Sequence, residues 1–298
     1  MKVRVISVTY RAGDAVIAWV EALQSAWKAR GGDGSADRLV VVAVDNASPD
    51  DTPALLGARA PFVTLLAQAT NRGFAAGCNV GLRTAEPEEI VIVMNPDVLV
   101  SDDFFLALAE LTWPVDVAVR GPQIVGQDEA VEQSARAFPT LATGLFGRTS
   151  LLARALPGSA VVRRQLRARP EAGAVDVDWI SGACMIAPHD RWVEVGLFDE
   201  RYFMYWEDAD WCHRANDRGL RVRYEPLLAV RHHQGSSSSY RPLATVVAFH
   251  RSAWRYHRSH ARAGVAQDVV AALGLSLRAM IKLAVTACSR RGGGSGRR

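Results

Sequence analysis

A mostly parallel α/β sheet with helices on both faces is the fold class this sequence predicts, and three observations predict it. Apolar runs of strand length recur through the first 125 residues; helical stretches separate them; and each of the first four runs stops at a polar, turn-forming cluster. The 298 residues are 49% hydrophobic and 22% charged, enough for one large α/β domain or two small ones with a real core.

The elements follow in order. The strands are read at 3 to 8 (VRVISV), 39 to 44 (LVVVAV), 62 to 67 (FVTLLA), 90 to 94 (IVIVM) and 117 to 121 (VAVRG). Ser101 has the chemistry of an N-cap for DDFFLALAEL, with acids in the first turn; Pro188 can open PHDRWVEVG and Gly196 close it. A further helix is expected from Glu207 to Asp217, stopped by Gly219. Residues 141 to 175 mix Gly, Pro and Arg without a period and read as an irregular segment.

Cysteines 78, 184, 212 and 288 show neither C-x-x-C spacing nor a dense framework, which argues against structural zinc and fits a reducing, cytosolic compartment. The N-terminus reads as a strand containing Lys2 and Arg4 and not as a signal peptide. Charge is split along the chain. Residues 241 to 298 carry eleven Lys/Arg against the single Asp268, whereas the preceding residues carry 24 basic and 30 acidic side chains. Such a tail suits an anionic partner, a phospholipid surface or nucleic acid, and serves equally for solubility.

Open α/β sheets bind ligands beyond the carboxyl ends of their strands, so the clusters there should converge. They are Thr9-Tyr10-Arg11, DNASPDDT from Asp45, NRGFAAGCN from Asn71, and NPDV from Asn95. Neither G-x-G-x-x-G nor G-x-x-x-x-G-K-[ST] follows the first strand, which argues against a dehydrogenase or a P-loop phosphotransferase. Asp45 can accept the imide N–H of a uracil or thymine ring, or it can cap its own turn. Asn71 and Asn79 are candidate donors, Gly73 and Gly77 permit close backbone approach, and Arg72 can neutralise phosphate. Asp97 is an oxygen ligand suited to Mg²⁺ or Mn²⁺, with His232 or His233 as a possible second ligand. Glu207, Asp208 and Asp210 stand among Tyr205, Trp206 and Trp211 at a helix start, where acids are favoured by the dipole; Asp210 and Arg214 are spaced for an ion pair.

In this order VISVTYRAGD, VDNASPDDT, NRGFAAGCNVGL, MNPDV, WISGACMIAPHDRWVEVGLFDERYFMYWEDADWCHRANDRGLRV and HHQGSSS resemble the inverting family 2 glycosyltransferases of GT-A fold, rhamnosyltransferase-like branch, over residues 3 to 260. The resemblance implies a catalytic domain, taken over residues 1 to 240, and the charge split sets off a basic helical extension with an amphipathic helix and a flexible tail over 241 to 298. It implies that Thr9, Tyr10 and Asp45 hold the nucleoside, that Asn71, Arg72 and Gly73 line the nucleotide pocket, and that Asp97 and His232 bind Mg²⁺ or Mn²⁺ on the diphosphate. His232 matches the family's H-x-x-G spacing better than His233. Asp208 becomes the general base, Glu207 and Asp210 acceptor contacts or helix supports, and Trp206 and Trp211 stacking surfaces for sugar. The family's D-x-D is reduced to Asn95-Pro96-Asp97, which weakens the expected metal site by one carboxylate.

The stretch 264 to 289 is long and apolar but interrupted by Asp268, Arg278 and Lys282, which fall on one arc of a helix. That pattern fits a helix lying on an anionic leaflet or packed on protein. The expected activity is transfer of a sugar, L-rhamnose from dTDP-rhamnose, to a polyprenyl diphosphate-linked or glycan acceptor in surface-glycan synthesis, on the cytoplasmic face of the membrane and without nucleic acid. A UDP-sugar such as galactofuranose or N-acetylglucosamine is the alternative donor, and a non-catalytic nucleotide-sugar-binding assembly factor the alternative class.

Overall fold

The computed structural model describes residues 1–31, 37–132, 134–139, 173–232, 242–261 and 263–292. The expected irregular stretch lies almost wholly outside the described residues, as do His233, Gly235 and the proposed 240/241 boundary.

The strands are β1 (Lys2–Thr9), β2 (Arg38–Asp45), β3 (Thr64–Ala67), β4 (Ile90–Met94), β5 (Val98–Val100), β6 (Val117–Val125), β7 (Val131–Glu132), β8 (Ala135–Arg136), β9 (Val175–Val177), β10 (Trp179–Ile180), β11 (Cys184–Pro188) and β12 (Arg221–His232). The helices are α1 (Asp14–Ala29), α2 (Thr52–Arg59), α3 (Phe74–Leu82), α4 (Phe104–Ala109), α5 (His189–Val195), α6 (Glu207–Asp217), α7 (Pro242–His260) and α8 (Val265–Gly292).

The main sheet is mixed and mostly parallel, ordered β3-β2-β1-β4-β11-β6-β12-β5. β11 enters antiparallel between β4 and β6, and β5 lies antiparallel on β12. Period-two alternation divides the core. Val3, Val5, Val41, Ala43, Ile92 and Met94 face α1, α2 and α4; Ile6, Val8, Val42, Val44, Val91 and Val93 face α3, α5 and α6. The charge inside β1 is also accounted for, because Arg4 is buried in a two-point pair with Glu89 (2.7 and 3.0 Å).

Three boundaries differ from the sequence reading. α4 begins at Phe104 behind Asp103, and Ser101 sits one turn earlier, bonding the Asp103 carboxylate. β6 runs on to Val125, and β11, CMIAP, was not anticipated, because it runs straight into Pro188 and the helix read from it. α6 spans the expected residues and stops before Gly219, whose φ of +76° suits glycine.

α3 rests on β1 through glycine. A Cβ on Gly81 would lie 2.3 Å from Ile6 Cγ2, and one on Gly77 would lie 2.7 Å from Val8 Cγ1. Alanine at Gly81 gains helix propensity of about 1 kcal/mol, but overpacking a rigid strand costs about 1–3 kcal/mol. Gly81→Ala is therefore expected to lower unfolding free energy in urea, whereas Gly57→Ala, in open space on α2, should not.

Candidate active site

The parallel strands deliver four loops to one edge. Thr9 and Asp45 are register partners at the ends of β1 and β2, and β4 ends at Met94, followed by Asn95 and Asp97. β12 ends at His232, paired with Val98, and the turn before β11 brings Ser181 to Ala183 to the same edge, since Cys184 pairs with Met94. The Asn95 N–H donates to the Ala183 carbonyl at 3.0 Å.

On one side of this edge the Asp45 turn is closed by its own neighbours. Oδ1 accepts from the Thr9 hydroxyl at 3.0 Å and from Ser48 Oγ, and Oδ2 accepts the Ser48 N–H at 2.9 Å. The loop after β1 is stitched to it: the Arg11 N–H donates to Ser48 Oγ, and the Ala12 and Gly13 N–H groups donate to Thr52 Oγ1. Arg11 has φ +55° and its guanidinium stands 5.9 Å from the half-buried Tyr10 ring.

Asn71 caps the next turn through Oδ1 to the Gly73 N–H. Gly73 (φ +91°) has Phe203 against it, because a Cβ there would meet the Phe203 carbonyl oxygen at 2.1 Å. Its required close approach is to the chain entering α6. Arg72 is exposed and paired with Glu200 at 2.6 Å. Asn79 is a correction: its amide donates to the Phe198 carbonyl and to Glu200, its oxygen accepts the Phe198 N–H, and it is buried. With these bonds made inside the protein, it is a bracket between α3 and the α5–α6 loop rather than a nucleotide donor. Asn46, which sequence reading left out, donates to the Gly73 carbonyl at 2.8 Å, while its buried Oδ1 has no hydrogen-bond partner.

The residues proposed for a cation do meet. His232 Nε2 lies 3.4 Å from Asp97 Oδ1, and His232 Nδ1 lies 3.4 Å from Glu132 Oε2. Asp97 Oδ1 is buried with no hydrogen bond of acceptable geometry. An orphaned carboxylate oxygen beside an imidazole fits a divalent ion, and Glu132 adds a second carboxylate that offsets the missing first Asp of D-x-D. Asp97 and then Glu132 raise the His232 pKa above its ordinary value.

Asp208 sits at the head of α6, half-buried. Its Oδ2 accepts the Gly182 N–H and its Oδ1 the Ala209 N–H, both at 2.8 Å. A side chain at position 182 would press within 3.3 Å of Asp208 Cβ, so glycine permits the approach. Two consecutive left-handed residues, Tyr205 (φ +69°) and Trp206 (φ +72°), turn the chain into the helix. Burial raises the Asp208 pKa against the pull of these amides. Burial and then the Asp208 charge push Glu207 well up; it is fully enclosed and its Oε2 has no partner. Of the two, Glu207 is pushed the further toward its neutral form, while the Gly182 and Ala209 amides hold Asp208 back.

One acceptor assignment is overturned, and for Asp210 the helix-support alternative holds. Trp211 is wholly buried, its ring 4.8 Å from Trp192 and its N–H donated to the Gly196 carbonyl, so no face is open to a sugar. Asp210 is 3% exposed and held by Arg214 Nε at 2.9 Å, His260 Nε2 at 2.7 Å and Tyr202. It clamps α7 to α6. Trp206 is half-buried with its ring 5.1 Å from Tyr256 on α7.

With this geometry the similarities to known proteins fall into line. Residues 5–165 match the model of glycosyl transferase family 2. The chain is 31% identical over 267 residues to the N-acetylglucosaminyl-diphospho-decaprenol L-rhamnosyltransferase of Mycobacterium tuberculosis, covering 84% of this chain and 86% of the relative. It is 27% identical to the low-salt glycan biosynthesis hexosyltransferase Agl10 of Haloferax volcanii, over 55% of this chain and 50% of that one. The mannosyltransferase PcManGT from Pyrobaculum calidifontis, solved with GDP-Man and Mn²⁺, superposes with a TM-score of 0.58 at 18% identity, over 100% of this chain and 76% of that chain. The fold is GT-A and the protein a glycosyltransferase. It belongs to glycosyl transferase family 2.

Because Asp210 is buried and paired with Arg214, removing it leaves that guanidinium without its counter-charge, at a cost of about 3–5 kcal/mol. Asp210→Ala is expected to lower the urea midpoint and to speed amide exchange across residues 242–260 more than across β1 and β2.

Proposed function

We propose that this glycosyltransferase inverts the anomeric centre of its donor, transferring L-rhamnose from dTDP-rhamnose to a polyprenyl diphosphate-linked sugar at an anionic membrane surface. The observation that carries the chemistry is the Asp208 carboxylate, fixed by the Gly182 N–H at the same sheet edge as Asp97 and His232. The donor and acceptor are supported by the printed activity of the Mycobacterium tuberculosis relative.

Asp208 takes the proton of an acceptor hydroxyl as that oxygen attacks the anomeric carbon from the face opposite the diphosphate; the sugar–phosphate C–O bond breaks and its electrons leave with the nucleotide. Glu207 beside it is pushed further toward its neutral form than Asp208, which leaves Asp208 the better placed of the two to take the proton. Thr9, Tyr10, Arg11, Asp45, Asn71, Arg72, Gly73 and Asn95 surround the nucleotide, the backbone of the stitched loops setting its position. Asp97, His232 and Glu132 would hold Mg²⁺ or Mn²⁺, which when bound offsets charge on the departing diphosphate.

The membrane assignment rests on α8, whose polarity is inverted. Asp268 reaches back to His257 and Arg258, and Arg278 lies over Phe249, so these charges face α7. Val269, Val270, Leu273, Leu277, Met280, Ile281 and Val285 face outward, Leu273 68% exposed. Val265–Ala287 is long and apolar enough by length and composition to cross a bilayer, but its inward charges stay engaged with protein, which favours a helix lying in the interface beside the lipid acceptor.

The test is a panel of dTDP-, UDP- and GDP-sugars with Mg²⁺ or Mn²⁺ and polyprenyl diphosphate N-acetylglucosamine, read by product mass and anomeric configuration; transfer from UDP-sugars alone, or retention, overturns the reading. Asp208→Asn should cut kcat by about 10²–10⁴-fold. In the wild type kcat/KM should fall with acid through a limb above the ordinary aspartate value of about 3.9, since the raised pKa protonates the base earlier as pH drops. Deleting residues 264–298 should abolish sedimentation with anionic vesicles and spare donor hydrolysis; unchanged sedimentation would remove the membrane assignment.

A further inference from the structure

On the side of α6 turned toward α7, His213 and Asp217 stand one helical turn apart, and His260 comes from the last turn of α7. One potential ligand atom from each lies within 4.8 Å of the other two. The imidazoles are stacked, centroids 4.0 Å apart. Each already has an outer partner: His213 Nδ1 is 3.0 Å from the Tyr256 hydroxyl, and His260 Nε2 is 2.7 Å from buried Asp210, itself fixed by Arg214. Metal-ligating histidines are commonly held this way, one nitrogen bonded to a carboxylate or other oxygen and the other left for the ion. Here the nitrogens left are His213 Nε2 and His260 Nδ1, with the exposed Asp217 carboxylate beside them.

We infer that His213, Asp217 and His260 form a second divalent-metal site, of the zinc class, that pins α7 to the helix bearing Asp208. Two imidazoles and a carboxylate suit zinc better than magnesium, which prefers oxygen. Bonds of about 2.0–2.2 Å require the exposed Asp217 carboxylate to close on the pair and the two stacked rings to splay so that their free nitrogens converge on the ion. The fourth position would open to solvent. The cluster shares no residue with Asp97, His232 and Glu132, so it stands whatever ion acts at the sheet edge.

The test is a Zn²⁺ titration of the full chain against a chromophoric chelator, with saturating Mg²⁺ present, comparing wild type with Asp217→Ala, His213→Ala and Asp97→Ala. One Zn²⁺ is expected per chain, weakened at least about tenfold by Asp217→Ala and by His213→Ala and unaffected by Asp97→Ala. Amide exchange in residues 242–260 should slow on adding Zn²⁺ in wild type and not in Asp217→Ala, a surface change that leaves the packing intact. Equal Zn²⁺ affinity in wild type and Asp217→Ala, or loss only in Asp97→Ala, overturns the site.

Discussion

The hydrogen bond from the Gly182 amide to Asp208 fixes the head of α6 at the sheet edge. It ties the turn before β11, a strand that enters the sheet antiparallel, to the first residues of α6, a helix on the other side of the cleft edge. Both ends are demanding. A Cβ at position 182 would crowd Asp208 at 3.3 Å, and Tyr205 and Trp206 take left-handed conformations where the chain turns into the helix. Gly73, packed against the Phe203 carbonyl, braces the same turn from the direction of α3.

Around that bond, acids separated by one or two residues do different work because their surroundings differ. Glu207 is buried with its Oε2 unbonded, and burial pushes its pKa well up; Asp208 is raised by burial too, but the Gly182 and Ala209 amides pull against it; Asp210 has Arg214, His260 and Tyr202 and serves as a clamp. Since the clamp reaches α7, the position of the C-terminal helices is coupled to the helix that presents Asp208. α8 then packs its charges on α7 and leaves its apolar stripe outward, opposite to what a helix covering a soluble core would do.

Much of the fold was legible in the sequence. Continuous apolar runs such as IVIVM identify strands buried on both faces, and the polar clusters after them mark one edge, because parallel strands end together. Asp45, Asp97, Asp208 and His232 do reach that edge. Asn79 and Trp211 were misplaced for a common reason: a polar or aromatic residue inside a motif looks the same whether it faces ligand or protein, and only its partners separate the two. Glu132 and Asn46 escaped notice because Glu132 reaches His232 from a hundred residues away and Asn46 bonds a backbone carbonyl.

What the sequence by itself determined is the alternation of strands and helices, the edge at which chemistry occurs, and the residue types sent there, since hydrophobic period and turn composition are local properties of the chain. Tertiary structure alone decided which acid is left with an unbonded buried oxygen, which is held by two amides and which is clamped by Arg214 and His260, where the antiparallel β11 inserts, and which way α8 turns its charges. Those outcomes depend on partners far apart along the chain whose distances and burial no local pattern encodes.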